Sequence, residues 1–142
     1  MSFKIDTPLE KRIQLSEKMR EKYPDRLPII IEIQKQSNPI QLSQTRFIVH
    51  KSYTVGRLIT EIRKNSPTLK SDEAMFLFCD AKNNGILAPI SKTIEELYTQ
   101  YKDADGFLYF TVAKENTFGQ EILETIDSTF NGIFNGISKF LF

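Results

Sequence analysis

The 142-residue sequence has no tryptophan, one cysteine and one histidine. A single thiol, Cys79, excludes an intrachain disulfide framework and any multi-cysteine zinc site, and it fits a reducing compartment. Cys79 closes the apolar run Ala74–Cys79, so it reads as a small buried hydrophobe and not as a nucleophile. A lone His50 excludes a histidine-rich metal site and argues against Ser-His or Cys-His catalysis. Charge of one sign is also missing. Nineteen Lys and Arg face eighteen Asp and Glu, for a net +1. That lacks the basic excess on which a general nucleic-acid binder depends. No run approaches the roughly 20 apolar residues that span a bilayer. Phe3 and Ile5 sit among Lys4, Asp6 and Glu10, so no secretory signal is expected. There is no internal repeat and no low-complexity tract. No cofactor is implied.

What is present is enough for one core. Apolar residues make up 40% and charged residues 26%, and a fold of this size buries roughly two-thirds of its unfolded surface. Charge is uneven along the chain. Residues 1–26 carry seven basic and five acidic residues, 27–119 carry eleven and ten, and 120–142 carry one and three.

Thr7-Pro8-Leu9-Glu10 predicts a helix start, with Thr7 as cap, Pro8 in the first turn and Glu10 completing a capping box. The helix should end near Lys22, before Pro24. Its apolar residues (Leu9, Ile13, Leu15, Met19) are sparse, so it should cover a surface and not fill a core. Leu27–Gln34 is nearly continuous in apolar residues, as a strand buried on both faces would be. Ser37-Asn38-Pro39 is a turn, and Arg46–His50 a second strand that should pair with the first. Thr54–Asn65 places Val55, Leu58, Ile59 and Ile62 on one helical face, and Pro67 follows as a stop. Ala74–Cys79 reads as a strand. Asn83-Asn84-Gly85 is a strand-joining turn before a short strand at Ile86–Ala88. Thr93-Ile94-Glu95-Glu96 opens a capped helix to about Tyr101, and Phe107–Ala113 is the last strand. A helix laid across a mixed sheet after an initial hairpin is the α+β, ubiquitin-like β-grasp pattern, here with a helix added in front.

Glu21-Lys22-Tyr23-Pro24-Asp25-Arg26-Leu27-Pro28 then narrows the reading. It resembles the autophagy ubiquitin-like modifiers, the family of autophagy-related protein eight, GABA-receptor-associated protein and microtubule-associated light chain three. The resemblance continues through Leu9-Glu10-Lys11-Arg12, Thr54-Val55-Gly56, Ile62-Arg63-Lys64, Ala74-Met75-Phe76-Leu77-Phe78, Leu97-Tyr98 and Phe107-Leu108-Tyr109. It ends at Thr117-Phe118-Gly119. It covers residues 3–119, with small insertions near Pro67 and around Ala81–Asn84, and implies two N-terminal helices, the first near Phe3–Asp6. The expected organisation is therefore an N-terminal helical part over 1–26, a β-grasp core over 27–119 and an amphipathic tail over 120–142 that is removed on processing.

The resemblance implies three sites. The first is Gly119, flanked by Phe118 and Gln120. A family cysteine protease would cut after Gly119, and activating and conjugating enzymes would transfer its carboxylate to phosphatidylethanolamine. Glycine suits this, because no side chain obstructs a thioester or a narrow groove. By itself, a lone glycine after a strand is a turn. The second is a groove for partner peptides, cargo receptors among them, of the form aromatic-x-x-aliphatic, added as a strand beside Arg46–His50. The aromatic pocket would use Leu15, Met19, Pro28, Arg46, Ile48 and Phe107, with Arg46 also pairing acidic residues that flank the motif. The aliphatic pocket would use Phe47, Val49, Tyr53, Val55, Leu58 and Ile62. Several of these, Ile48, Val49, Val55 and Ile62 above all, are equally ordinary core positions. Arg46 and Phe47 are less easily explained on an edge strand. His50 stands where relatives commonly have proline, and Glu61 where many have an apolar residue. The third is the basic N-terminal helix (Lys11, Arg12, Lys18, Arg20, Lys22), interleaved with Glu10, Glu17 and Glu21. It reads first as a solvated face and second as a contact for acidic partners or membrane.

The tail extends past the family pattern by 23 residues. Ile122, Leu123, Ile126, Phe130, Ile133, Phe134, Ile137, Phe140 and Leu141 fall within about 120° of a helical wheel. Gly132 and Gly136 each weaken that helix by roughly 1 kcal/mol relative to alanine. Membrane-surface binding, docking in the protein's own groove, oligomerisation and delayed processing are all open to it. The reading as a whole is a non-enzymatic modifier, cytoplasmic before conjugation and on the autophagosome membrane after it. The alternative is an unprocessed adaptor anchored by its own C-terminal helix.

Overall fold

A computed structural model describes residues 2–35, 38–79 and 85–114. Its elements run α1 (Phe3–Asp6), α2 (Leu9–Lys22), β1 (Arg26–Ile33), β2 (Arg46–His50), α3 (Val55–Lys64), β3 (Met75–Cys79), β4 (Ile86–Leu87), α4 (Ile94–Tyr101) and β5 (Leu108–Lys114). The five strands form one sheet in the order β2-β1-β5-β3-β4. β1 and β5 are parallel and every other pairing is antiparallel. This is the β-grasp arrangement that the element order predicts.

β1 shows why its sequence is nearly all apolar. Successive side chains of a strand face opposite sides. Ile29 and Ile31 join Val55, Leu58 and Ile62 of α3, Leu77 of β3 and Leu108, Phe110 and Val112 of β5 in the main core. Ile30, on the other face, joins Phe3 and Phe107, with Leu15 and Met19 of α2 packed against them. A strand covered on both faces has no solvent side to keep polar.

α4 begins with the cap the sequence predicts, and α3 begins with a threonine cap as well. Thr54 Oγ1 accepts the Arg57 N–H at 3.1 Å, and Thr93 Oγ1 accepts the Glu96 N–H at 3.2 Å. Thr7 behaves otherwise. No side chain caps α2, whose first flanking residue is Pro8, and Thr7 instead terminates α1. Arg12 takes over the junction: its Nη1 donates to the carbonyls of Lys4 and Thr7, each at 2.9 Å. A cation that satisfies carbonyls at the end of α1 ties that helix to α2. α2 buries only Ser16, consistent with a helix that covers a surface. The last strand begins at Leu108, one residue later than expected, although Phe107 is buried. Gly85, at the close of the expected turn, has φ +78°. Asn83 and Asn84 lie outside the described residues, as does Ser37 of the earlier turn.

Candidate functional site

β2 lies at one end of the sheet, and among the described residues only β1 pairs with it. The ladder fixes which backbone groups look outward. Ile31 N–H donates to the Thr45 carbonyl at 2.7 Å, and Lys51 N–H donates to the Asp25 carbonyl at 2.9 Å. Hydrogen-bonded pairs alternate along an antiparallel ladder. Phe47 and Val49, opposite Ile29 and Leu27, therefore bond to β1, while Arg46, Ile48 and His50 aim their backbone polar groups at the open edge. The Arg46 carbonyl accepts from Gln44 Nε2 at 2.7 Å, and the His50 carbonyl accepts the Tyr53 N–H at 3.0 Å. Ile48 is thus the centre of the exposed ladder.

The same alternation sorts the side chains. Arg46 and Ile48, opposite Ile30 and Pro28, share the face that α2 covers. Phe47 and Val49 share the α3 face and belong to or pack against the main core. Residues three apart on an extended partner also face opposite sides. An aromatic-x-x-aliphatic segment added at this edge therefore directs its two anchors to these two faces, which gives the motif spacing a geometric cause.

The expected aromatic-pocket residues do meet. Leu15 and Met19 are half-buried against Phe107 and Ile30, Pro28 is fully buried, Ile48 is half-buried and Arg46 is exposed. Two neighbours were not expected there. Phe3 of α1 lies edge-on to Phe107, ring centres 5.2 Å apart, and the Arg46 guanidinium sits 4.7 Å from the Phe3 ring centre. The even-numbered alternation of β1 could have pointed to Ile30. Nothing in the spacing of the sequence points to Phe3, which arrives by a tertiary turn.

The expected aliphatic-pocket residues divide. Val55, Leu58 and Ile62 are 0% exposed and form the core, whereas Phe47 and Tyr53 are half-buried and reach the surface. A depression of about 200 Å³ is lined by Phe47, Val49 and Tyr53 together with Arg26, His50 and Glu61. Only the upper residues can touch a partner without rearrangement. Two departures from the family pattern, His50 and Glu61, sit at this mouth. The His50 ring is oriented by Ser52, whose N–H donates to Nδ1 at 3.1 Å. His50 is exposed, as expected of an edge-strand residue.

A buried network fixes the α2 wall of the groove. Asp105, 0% exposed, accepts from Arg12 Nε at 3.0 Å, from the Tyr109 hydroxyl, and from the Phe107 N–H at 2.9 Å. Ser16 Oγ donates to the Asp105 carbonyl, and Lys4 pairs with Asp103 at 2.6 Å. Burial, reinforced by the bond to Asp105, pushes the Tyr109 phenol well above its ordinary range. Of the basic residues of α2, Arg12 is thus structural. Lys11, Lys18 and Lys22 are exposed. Cys79 is buried, with its thiol 3.7 Å from the Ile86 carbonyl. Phe118, Gly119, Gln120 and the expected tail helix lie outside the described residues. The described residues hold no cluster of three potential metal ligands and no helix long and apolar enough to cross a membrane.

A five-stranded β-grasp sheet with two helices packed on its outer face defines a ubiquitin-like protein carrying an N-terminal addition. Residues 11–119 match the family described as autophagy protein Atg8, ubiquitin-like, and the chain belongs to that family. It is 39% identical over 121 residues to autophagy-related protein 8 of Dictyostelium discoideum, covering 85% of this chain and 96% of the relative. It is 42% identical over 118 residues to autophagy-related protein 8a of Arabidopsis thaliana, covering 83% and 93%. Among solved structures it is similar to Trypanosoma brucei ATG8, with TM-score 0.73, 34% identity and coverage of 81% and 95%. It is also similar to Plasmodium falciparum Atg8 in complex with an Atg3 peptide of that organism, with TM-score 0.68, 28% identity and coverage of 80% and 95%.

Proposed function

We propose that this chain is a non-enzymatic ubiquitin-like modifier, conjugated through Gly119 to phosphatidylethanolamine, that recruits cargo receptors and adaptors carrying aromatic-x-x-aliphatic segments. The observation that carries the reading is the open β2 edge. Outward backbone groups at Ile48 are flanked by one apolar surface on each face of the sheet. Backbone pairing supplies affinity and the two surfaces supply selectivity. Arg46, exposed beside the aromatic surface, pairs acidic residues that flank the motif.

Gly119 is the last residue matched by the family, at the end of a segment that follows β5. Cleavage by the family's cysteine protease removes 120–142 and frees the Gly119 carboxylate. Activating and conjugating enzymes then pass it through thioesters to the lipid amine. The Plasmodium relative's complex with an Atg3 peptide supports a conjugating-enzyme partner. In this reading the three-part division at 26 and 119 separates helical wall, recognition domain and discarded tail. The unconjugated protein is cytoplasmic and the conjugate sits on the autophagosome membrane.

The test is the intact mass of the protein recovered from soluble and membrane fractions of cells. A membrane species ending at Gly119 with a phospholipid attached is expected, and it disappears in Gly119→Ala. A full-length membrane species ending at Phe142 would overturn conjugation and make the C-terminal segment the anchor.

A further inference from the structure

Among the described residues a cavity borders the sheet beside the groove just described, sharing Phe3, Ile30 and Arg46 with its aromatic surface. It is a cleft of about 540 Å³ between α1 and the end of β1, closed on one side by Thr45 and Arg46 at the start of β2. Phe3, Ile5, Ile30 and Ile33 give it an apolar lining. Ile5 is 82% exposed and Ile33 38%, so both show large apolar surface to solvent. Its charged residues cancel: Asp6 and Glu32 face Lys35 and Arg46. The Glu32 carboxylate already accepts from Ser2 Oγ at 3.2 Å, and Arg46 lies over the Phe3 ring. A neutral apolar side chain matches this lining better than a charged one.

The direction of a partner strand follows from the two anchor surfaces. The aromatic surface is at the Arg46–Ile48 end of β2, and the aliphatic one is at the Val49–Tyr53 end. A motif whose aromatic residue comes first must therefore run parallel to β2. Its residue two positions before the aromatic anchor faces the same side of the sheet, roughly 7 Å nearer the start of β2. That step leads past Arg46, the wall common to both surfaces, and into the cleft.

We propose that this cleft is a third side-chain subsite of the peptide groove, taking an aliphatic or aromatic residue two positions before the aromatic anchor. The proposal rests on the groove reading above. It assigns the partners of this chain an apolar-x-aromatic-x-x-aliphatic pattern, with Ile5 as the residue that selects the first position.

The test uses the full chain and two synthetic peptides that differ only in having Leu or Ala two residues before a Trp-x-x-Leu core. Affinities are measured by calorimetry. The Leu peptide is expected to bind about tenfold more tightly, as burial of most of one aliphatic side chain implies. Ile5→Glu should bring the two peptides within about twofold of each other and leave the Ala peptide's affinity unchanged. Its melting temperature should match the parent's, since Ile5 touches little. Equal affinity of the two peptides for the parent chain overturns the subsite while leaving the groove standing. Equal affinities that both rise in Ile5→Glu assign the cleft to the chain's own residues beyond 114 and also overturn it. Binding of neither peptide removes the groove reading and the subsite together.

Discussion

Asp105 shows how much of the groove depends on one carboxylate. It is buried, and it is held by a guanidinium, a phenol and a backbone amide that come from α2, β5 and the turn before β5. Removing one member of a buried ion pair leaves the other charge unpaired, at a cost of about 3–5 kcal/mol. Asp105→Ala should lose stability on that scale in urea titrations, and Arg12→Ala in the same background should add much less than it does alone. Two full, additive losses would show that the pair is not the coupling element. The adjoining Gly106 has φ +87°, and a Cβ there would collide with Ser16 Oγ. Backbone strain and collision act together, so Gly106→Ala should cost about 1–3 kcal/mol in the same titration. A neutral result would mean that α2 is free to shift away from the turn.

At the scale of elements, the three threonine-led helix starts separate pattern from use. Thr93 makes the capping bond its capping-box position predicts, and Thr54 makes one with no capping box behind it. Thr7 opens a capping-box pattern like that of Thr93 and makes none, because it ends α1 and Pro8 stands at the head of α2. Thr93→Ala should therefore cost about 1 kcal/mol, and Thr7→Ala should stay within about 0.5 kcal/mol. Comparable losses in the two variants would contradict a cap at Thr93 and none at Thr7. The β2 edge came from the family resemblance, with Arg46 and Phe47 as the residues least easily explained on an edge strand. Its two pockets came from the same resemblance, and alternation along the paired strand then sorts their β2 residues to opposite faces. Which of the proposed pocket residues are reachable was not legible, since Val55, Leu58 and Ile62 satisfy the helical period of α3 equally well as core and as groove.

Across the whole molecule, charge is balanced in number but not in placement. Glu73 is held below its ordinary value, first by the Lys70 backbone N–H and further by Lys114 beside it. Glu96 is held down first by its bond to Lys92 and then by Thr93. A carboxylate with a depressed folded pKa contributes stability that is fully present above its unfolded value, near 4.5 for both, and is lost as pH falls through the folded value. Urea midpoints should therefore be level above about pH 5.5 and fall below 4.5. Glu73→Gln and Glu96→Gln should each flatten that fall, and an unchanged acid limb in both variants would assign the loss to other carboxylates.

The sequence by itself determined the element order, the buried character of β1, the two helices after β2 and β4 and the family. Those features are written in local periodicity and in contiguous motifs, which survive without knowledge of any distant contact. It also singled out Gly119 and the patterned segment after it, as sequence and not as geometry. Tertiary structure alone decided that Phe3 stands beside Phe107 and Arg46, that Arg12 is spent on Asp105, and that an open cleft lies between α1, the end of β1 and the start of β2. Each of these joins residues far apart in the chain. Their partners are chosen by the packing of α1 and α2 on the finished sheet, a surface that does not exist until β1 and β5 have paired.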